Sequence, residues 1–186
     1  MIPIALDPRF TRLAVAGNGP LALRRFRALR AAGAADAILF SDAPADDAII
    51  AAGVSLRRAL PDATDLTALH ALWIVDLPKD RAEALAEAAR NARVLVNVED
   101  VPSFCDFHSV AEVRRGDLLL TISTNGRAPG LSGLIRRDLE QKYGPEWQGR
   151  VAEIGALRAD WQREGVPMPE AAQRIAAIVA ERAWLQ

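Results

Sequence analysis

A glycine-rich turn between two apolar segments constrains the fold more than any other feature of the sequence. The turn, Gly17-Asn-Gly-Pro-Leu-Ala22, follows the continuously apolar run Leu13-Ala-Val-Ala16, which is typical of a buried strand. The next residues, 21–32, are rich in Ala, Leu and Arg and contain no helix breaker. Gly33 stands where a glycine often ends a helix, and a second apolar run, 37–40, follows it. The segment therefore predicts a strand, a helix and a second, parallel strand.

The same alternation of strand and helix patterns continues through residue 98. We predict, in order, a helix at 46–52, a short strand at 55–57, a turn or short helix at 62–69, a strand at 71–75, a helix at 79–91 and a strand at 94–98. Strands that alternate with helices at this spacing favour a parallel sheet covered by helices on both faces. The expected fold class is α/β, with a Rossmann-like domain over residues 1–110.

The pattern changes after Asp100. The runs 109–114 and 118–123 are predicted strands joined by the hairpin turn Arg115-Gly-Asp117. Three predicted helices follow: one is entered through Thr124–Pro129 and ends near Tyr143, and the others span 147–164 and 169–184. We therefore expect a strand–helix module over 111–144 and a small helical C-terminal domain over 145–186.

The charge balance and the cysteine count exclude several classes of function. The 23 basic and 24 acidic residues nearly cancel, so the strong positive field of a dedicated nucleic-acid-binding protein is missing. The single cysteine, Cys105, excludes an intramolecular disulfide and a Cys-rich zinc site. No apolar run approaches the roughly 20 residues of a membrane-spanning helix, and no signal-peptide pattern opens the sequence. We expect a cytoplasmic protein that binds neither nucleic acid nor membrane.

The glycine turn fits the G-x-G-x-x-A form of a dinucleotide-binding fingerprint, in the required context between a strand and a helix. Gly17 permits the tight turn, Gly19 lets the backbone approach a pyrophosphate, and Ala22 allows the helix to pack closely on the strand. Asp42, with Ser41 beside it, ends the next predicted strand, where a carboxylate favours a ribose 2′-hydroxyl over a 2′-phosphate. The pattern predicts NAD rather than NADP. The alternatives are a glycine turn without a nucleotide and an Asp42 that only caps a turn.

Asp100 is the leading catalytic candidate because it follows the last strand of the predicted sheet. Ligands of open parallel sheets bind at the carboxyl ends of the strands. Glu99, Asp106 and His108 lie close to it in sequence and could share the work of a general base or of a metal ligand. We expect Cys105 to be a packed small residue, since no histidine is evidently paired with it, and His70 to be structural.

Three motifs occur in a recognisable order along the chain. They are V-x-G-x-G-x-x-A-x-R at 15–24, V-N-V-x-D at 96–100 and L-x-x-x-I-S-T-x-G-x-x-P at 118–129. In this order they resemble the siroheme synthase dehydrogenase/chelatase family. The resemblance extends from the segment Ile2–Leu6 to the helices after Pro145.

The resemblance implies an enzyme of tetrapyrrole chemistry. Members of the family oxidise precorrin-2 to sirohydrochlorin with NAD and insert ferrous iron to give siroheme, a ferrochelatase reaction. By similarity Asp100 serves both reactions, with Fe2+ as a substrate held transiently near it and with no stable metal site. The resemblance also implies a homodimer assembled through 111–144 and a substrate cleft between the domains.

The resemblance and the position of each residue together give a set of expected contacts. The residues expected to bind NAD are Gly17, Asn18, Gly19, Pro20, Leu21, Ser41, Asp42 and Asp76. Precorrin-2 is rich in carboxylates, which are recognised by arginine forks and by the N-terminus of a helix. The residues expected to bind it are His108, Arg114, Thr124, Asn125, Gly126 and Arg127, with Arg115 beside Arg114 as a further candidate.

The chain departs from the family pattern at several positions. Asn18 replaces a glycine of the turn, and Asp76-Leu77-Pro78 stands where a Thr-Asp/Asn segment is usual. His108-Ser109-Val110, Ala128 and Gly133 depart on the substrate side. These departures leave two other hypotheses open. One is a non-catalytic sensor or carrier that binds NAD or a tetrapyrrole, and the other is a dehydrogenase for a different small substrate.

Overall fold

The computed structural model describes residues 2–43 and 55–185. The chain forms two compact units, Met1–Ser109 and Val110–Gln186. The described elements of the first unit are β1 (Leu13–Gly17), α1 (Pro20–Ala31), β2 (Ile38–Phe40), β3 (Leu56–Arg57), α2 (Ala63–Thr67), β4 (Ala71–Val75), α3 (Lys79–Asn91) and β5 (Leu95–Val98). Those of the second unit are β6 (Ala111–Arg115), β7 (Leu118–Ile122), α4 (Pro129–Lys142), α5 (Trp147–Arg163) and α6 (Met168–Glu181).

The strands of the first unit form a parallel sheet in the order β3-β2-β1-β4-β5. The central strand β1 pairs with β2 on one side and with β4 on the other, where Gly17 lies opposite Val75. The chain thus leaves β1 towards one edge of the sheet and returns to build the other edge. This is the doubly wound, Rossmann-like α/β fold that the sequence predicts.

The two faces of the sheet carry separate apolar clusters, because successive strand residues point to opposite faces. Ala14, Ala16 and Ile74 face a cluster that includes the buried side of α3. Leu13, Val15 and Trp73 face a cluster that includes the buried side of α1. The predicted sheet with helices on both faces is confirmed.

The second unit begins with the antiparallel hairpin of β6 and β7, in which Arg115 pairs with Leu118. Helix α4 follows and packs on this hairpin, and α5 and α6 pack on each other. The expected modules 111–144 and 145–186 both lie within this unit.

Element bounds differ from the predicted ones where tertiary contacts decide them. The strand predicted from 109 begins at Ala111, and the Ser109 hydroxyl oxygen accepts a hydrogen bond from Trp73 Nε1 of the sheet at 3.0 Å. The strand predicted at 55–57 is reduced to Leu56–Arg57. The helix predicted at 46–52 lies outside the described residues.

Replacement of Gly17 by alanine tests how closely β1 and β4 approach. A Cβ atom at Gly17 would overlap the backbone carbonyl oxygen of Val75 and lie 2.8 Å from the Ala22 Cβ atom. We expect Gly17→Ala to lower the free energy of unfolding by roughly 2 kcal/mol or more, measured by denaturant titration, because buried backbone cannot move aside cheaply.

The matched control is Gly155→Ala in α5, where nothing lies within 4 Å of the added methyl group. Alanine is the better helix former, so we expect a gain of up to about 1 kcal/mol there. Equal effects of the two substitutions would contradict the assigned role of Gly17.

Candidate active site

The carboxyl ends of β1, β4 and β5 bring the candidate residues to one edge of the first unit. The glycine turn follows β1, Asp76 follows β4, and Asp100 lies just past β5. The chain diverges to opposite sides of the sheet at β1, and a crevice forms at such a point in open α/β sheets. These residues therefore lie at the edge of the sheet where the sequence predicts them.

Asn18, the departure within the glycine turn, ties the turn to the end of β2. Its side-chain oxygen accepts hydrogen bonds from the Ser41 hydroxyl at 2.9 Å and from the Asp42 backbone N–H at 3.2 Å. Its side-chain nitrogen donates to Asp42 Oδ1 at 2.8 Å. A glycine could make none of these side-chain bonds. Asn18 thus holds Ser41 and Asp42 in place beside the turn.

Asp42 also pairs with Arg81 from the first turn of α3. The Arg81 guanidinium donates to Asp42 Oδ2, and the two side chains are 41% and 33% exposed. The hydrogen bonds from Arg81 and Asn18 lower the pKa of Asp42. The carboxylate is therefore ionised at neutral pH and stays accessible to a hydroxyl donor. Sequence reasoning missed Arg81, because the only signal was a basic residue near the start of a helix that follows a central strand.

The glycines of the turn make room for protein groups. A Cβ atom at Gly19 would lie 2.7 Å from the Cγ atom of Asp76. The Asp76 carboxylate accepts hydrogen bonds from the backbone N–H groups of Leu21 at 2.8 Å and Ala22 at 3.2 Å. Pro20 is the first residue of α1 and has no N–H to satisfy. The N-terminus of α1 therefore faces an anion that belongs to the protein itself, and the carboxylate of Asp76, which was expected to bind NAD, is engaged with these donors instead.

Asp100 lies in a tight turn after β5. The turn is closed by a hydrogen bond of 3.2 Å from the Val101 N–H to the Val98 carbonyl oxygen, and Asp100 has φ of 61°. This left-handed conformation is uncommon for a residue with a side chain, although Asp tolerates it better than most. The side chain is exposed and makes no hydrogen bond or ion pair with the part of the chain that the structure describes.

The neighbouring carboxylates are engaged elsewhere. Glu99 pairs with Arg25 at 3.4 Å. Asp106 pairs with Arg90 Nε at 2.9 Å and accepts the backbone N–H of Val96 at 3.0 Å. Of the acidic residues near the end of β5, Asp100 is the one whose carboxylate is left available for chemistry.

Cys105 supports the Asp100 turn. Its thiol donates to the Val98 carbonyl oxygen at 3.1 Å, and its sulfur accepts the Val98 N–H at 3.3 Å. Burial raises the pKa of Cys105, so the residue stays a neutral thiol at physiological pH. His70 is also structural, since its Nδ1 atom accepts the backbone N–H of Arg12 at 2.9 Å.

The candidate substrate residues of the second unit lie around the start of α4. Asn125 and Gly126 have φ of 57° and 73°, and Arg127 N–H donates to the Thr124 carbonyl oxygen at 3.1 Å, which defines a tight Asn-Gly turn. The Thr124 hydroxyl accepts the Ala128 N–H at 3.2 Å. The turn thus satisfies several of its own donors and leaves the Arg127 side chain exposed.

The two arginines at the end of β6 differ in whether their guanidinium groups are available to bind a ligand. Arg114 is exposed and lies 3.5 Å from Glu112. Arg115 donates instead to the carbonyl oxygens of Tyr143 at 2.8 Å and Glu140 at 3.2 Å, at the C-terminal end of α4. Arg115 therefore satisfies helix carbonyls. His108 is half-buried in the first unit.

Comparisons with known proteins give the family. A family model described as "Putative NAD(P)-binding" matches residues 4–111, and one described as "Sirohaem biosynthesis protein central" matches residues 115–142. The chain belongs to this putative NAD(P)-binding family, and its residues 115–142 match the central segment of sirohaem biosynthesis proteins. The family that the three motifs resemble is thereby confirmed.

Individual relatives agree with this assignment. The siroheme synthase of Methylococcus capsulatus is 32% identical over 174 residues, which cover 91% of this chain and 36% of that protein. The siroheme biosynthesis protein met8 of Schizosaccharomyces pombe is 34% identical over 99 residues, which cover 53% of this chain and 37% of that protein. The chain thus spans little more than a third of the length of these relatives.

A solved structure shares the fold along the whole chain. It is SirC, a precorrin-2 dehydrogenase, with a TM-score of 0.77 and 22% sequence identity, covering 100% of this chain and 93% of that one.

Within residues 2–43 and 55–185, no helix is long and apolar enough to cross a membrane, and no three His, Cys, Asp or Glu side chains are grouped to hold a metal ion.

The reactivity of Cys105 tests the packing beneath the Asp100 turn. Because burial raises its pKa, the thiolate fraction at pH 7.5 is small, and we expect iodoacetamide to label the folded protein several-fold more slowly than a cysteine-containing peptide. Labelling followed by mass spectrometry reports this residue alone, since it is the only cysteine. Unfolding in guanidinium should restore the peptide rate. Equal rates in the folded and unfolded protein would contradict the packed position.

Proposed function

We propose that this protein is a cytoplasmic precorrin-2 dehydrogenase that uses NAD and that also inserts ferrous iron into the product, sirohydrochlorin. The observation that carries the proposal is the meeting of three features at one sheet edge: the glycine turn, the Asp42 carboxylate and the available Asp100 carboxylate. The NAD(P)-binding family and the precorrin-2 dehydrogenase name of the structural relative support it.

The residues at the sheet edge fit a dinucleotide. The glycine turn opens a helix whose N-terminal donors, which Asp76 engages in this structure, are of the kind that binds a pyrophosphate. Asp42 offers an exposed, ionised acceptor for a ribose hydroxyl. Asn18 and Ser41 hold that acceptor beside the turn. When NAD is bound, its nicotinamide supplies the acceptor for a hydride. We propose NAD over NADP because the Asp42 carboxylate would repel a 2′-phosphate.

The role proposed for Asp100 is to accept a proton. Oxidation of precorrin-2 removes two hydrogens, one as the hydride and one as a proton, and the proton needs a base at the reacting carbon. Asp100 supplies that base because its side chain is exposed and unpaired within the described residues, whereas Glu99 and Asp106 are held by arginines. Iron insertion displaces pyrrole N–H protons, so the same carboxylate serves it, with Fe2+ entering as a substrate.

Binding of the acidic tetrapyrrole is assigned to exposed cations and donors. Arg127 and Arg114 are exposed on the second unit, and arginine forks bind carboxylates well. Thr124, Asn125 and Gly126 form the turn that presents Arg127. His108, which is half-buried, is proposed as a separate tetrapyrrole contact on the first unit. Arg115 is excluded from this role because helix carbonyls already engage its guanidinium.

An anaerobic assay with precorrin-2 and NAD tests the dehydrogenase. We expect NADH formation by the wild-type protein and a loss of at least about 100-fold in kcat for Asp100→Asn, because a general base contributes factors of about 10²–10⁴. The matched control is Asp36→Asn, an exposed aspartate that precedes β2 at the opposite edge of the sheet. Ferrous iron added after oxidation should give the siroheme spectrum.

The outcomes separate the proposal from its alternatives. Tight binding of NAD or tetrapyrrole with no turnover would favour a sensor or carrier, as the departures at Asp76–Pro78 and His108–Val110 suggest. Turnover with another substrate but not with precorrin-2 would favour a different dehydrogenase. Full activity of Asp100→Asn would remove Asp100 from the catalytic role.

We propose that the protein is a homodimer assembled through the second unit. Leu131, Leu134 and Ile135 are spaced along one face of α4 and are exposed by 51%, 57% and 37%. Large apolar side chains grouped on a helix surface mark contact sites in soluble proteins. The hairpin of β6 and β7 has only two strands, which are marginal alone and gain stability from further packing.

Substitution on α4 tests the dimer. We expect wild-type protein at micromolar concentration to have twice the chain mass of 20.1 kDa by light scattering, and Leu134→Glu to be monomeric, because a charge buried in an interface is costly. The control, Glu140→Lys, changes charge on the same helix outside that apolar face. A wild-type monomer would overturn the proposed assembly.

A further inference from the structure

The Asp76 carboxylate occupies the N-terminus of α1, the position at which a dinucleotide fingerprint binds pyrophosphate. Its Oδ2 atom accepts the N–H groups of Leu21 at 2.8 Å and Ala22 at 3.2 Å. It also fills the space above Gly19 that the missing side chain leaves. The fingerprint glycine and the helix donors are thus already used by a negative group of the chain.

The backbone of Asp76 directs this arrangement. The residue directly follows β4 and has φ of 54°, a left-handed conformation that Asp and Asn adopt more readily than other residues with a side chain. It is exposed, so water is the alternative environment for its carboxylate. The Asp76 carboxylate can therefore move away from the N-terminus of α1 into water, so its charge is not buried without a partner.

Two anions cannot use the same donors. The partial positive charge at the N-terminus of a helix is confined to its first turn, and the N–H groups of Leu21 and Ala22 each donate along one direction. A pyrophosphate that approaches this turn meets the negative Asp76 carboxylate before it reaches the donors. The carboxylate must move away, or the pyrophosphate binds against like-charge repulsion.

We propose that Asp76 is an internal competitor for the cofactor's pyrophosphate, so that it stabilises the cofactor-free protein and weakens the binding of NAD. This inference rests on the proposed function, since it assumes that the glycine turn binds a dinucleotide. Asp76 acts by engaging the backbone N–H donors at the start of α1, and in this way it sets the affinity of the protein for NAD. It takes no part in the transfer of hydride or proton.

A helix cap without such a role predicts different behaviour. If Asp76 only caps α1, its removal destabilises the fold and leaves NAD affinity equal or reduced. If it competes, its removal lowers the stability of the free protein and increases NAD affinity at the same time. The change in NAD affinity therefore distinguishes the two hypotheses, because only competition predicts a gain in affinity together with a loss of stability.

The experiment uses Asp76→Asn and Asp76→Gly, both of which suit a positive φ. Binding of NAD and of inorganic pyrophosphate is measured by calorimetry, and the thermal midpoint is measured without ligand. We expect NAD to bind about two- to fivefold more tightly to both variants, the range that follows from a charge at an exposed helix terminus. We expect the ligand-free midpoint of Asp76→Asn to fall by a few degrees.

The matched control is Asp62→Asn at the start of α2. Asp62 also caps a helix, since its carboxylate accepts the Asp65 N–H at 2.8 Å, but it lies away from the glycine turn. We expect this variant to lose stability with no change in NAD affinity. The comparison separates the loss of a cap from the loss of competition.

The outcomes separate the inference from the proposed function. Unchanged or weaker NAD binding by both Asp76 variants, with wild-type protein still binding NAD, would overturn the competition and leave the proposed function intact. Absence of NAD and pyrophosphate binding from the wild-type protein and both variants would overturn the dinucleotide site itself. Binding by the variants alone would be the extreme case of the competition.

Discussion

The close approach of β1 and β4 at Gly17 is the contact on which the first unit depends. Gly17 lies opposite Val75 in the parallel pair, and no side chain fits between the two backbones. The same closeness lets Ala22 pack against the turn, so α1 lies directly on the sheet. Asp76 is the next residue after Val75 and is carried over the start of α1. One steric requirement thus sets both the packing of the core and the position of a charge in the candidate site.

The candidate site is an edge where most charges are already paired. Asp42 is held by Asn18 and Arg81, Asp76 by the donors of α1, and Asp106 by Arg90. Such pairing fixes side chains at a surface where isolated ion pairs contribute little to stability. Asp100 differs from these carboxylates in having no such partner among the described residues. Its availability follows from the engagement of its neighbours.

In the second unit, backbone groups at both ends of α4 form hydrogen bonds within the unit, whereas apolar side chains on the helix remain exposed. The Asn-Gly turn satisfies donors before α4, and the Arg115 side chain satisfies carbonyl groups at its end. Leu131 and Leu134 nevertheless remain exposed on the helix. A helix whose ends are complete but whose apolar face is uncovered is suited to assembly with another chain.

The sequence by itself determined the order of strands and helices and the edge that carries the candidate site. The strand at Ala71–Val75 and the helix at Lys79–Asn91 have the predicted bounds, since a continuous apolar run and an uninterrupted helix pattern are local signals. Only the tertiary structure decided which charged groups meet. Arg81 reaches Asp42 across 39 positions of sequence, and Asp76 reaches Leu21 across 55. Those partners depend on how parallel strands are placed side by side, and residue patterns along a single strand or helix do not encode that placement.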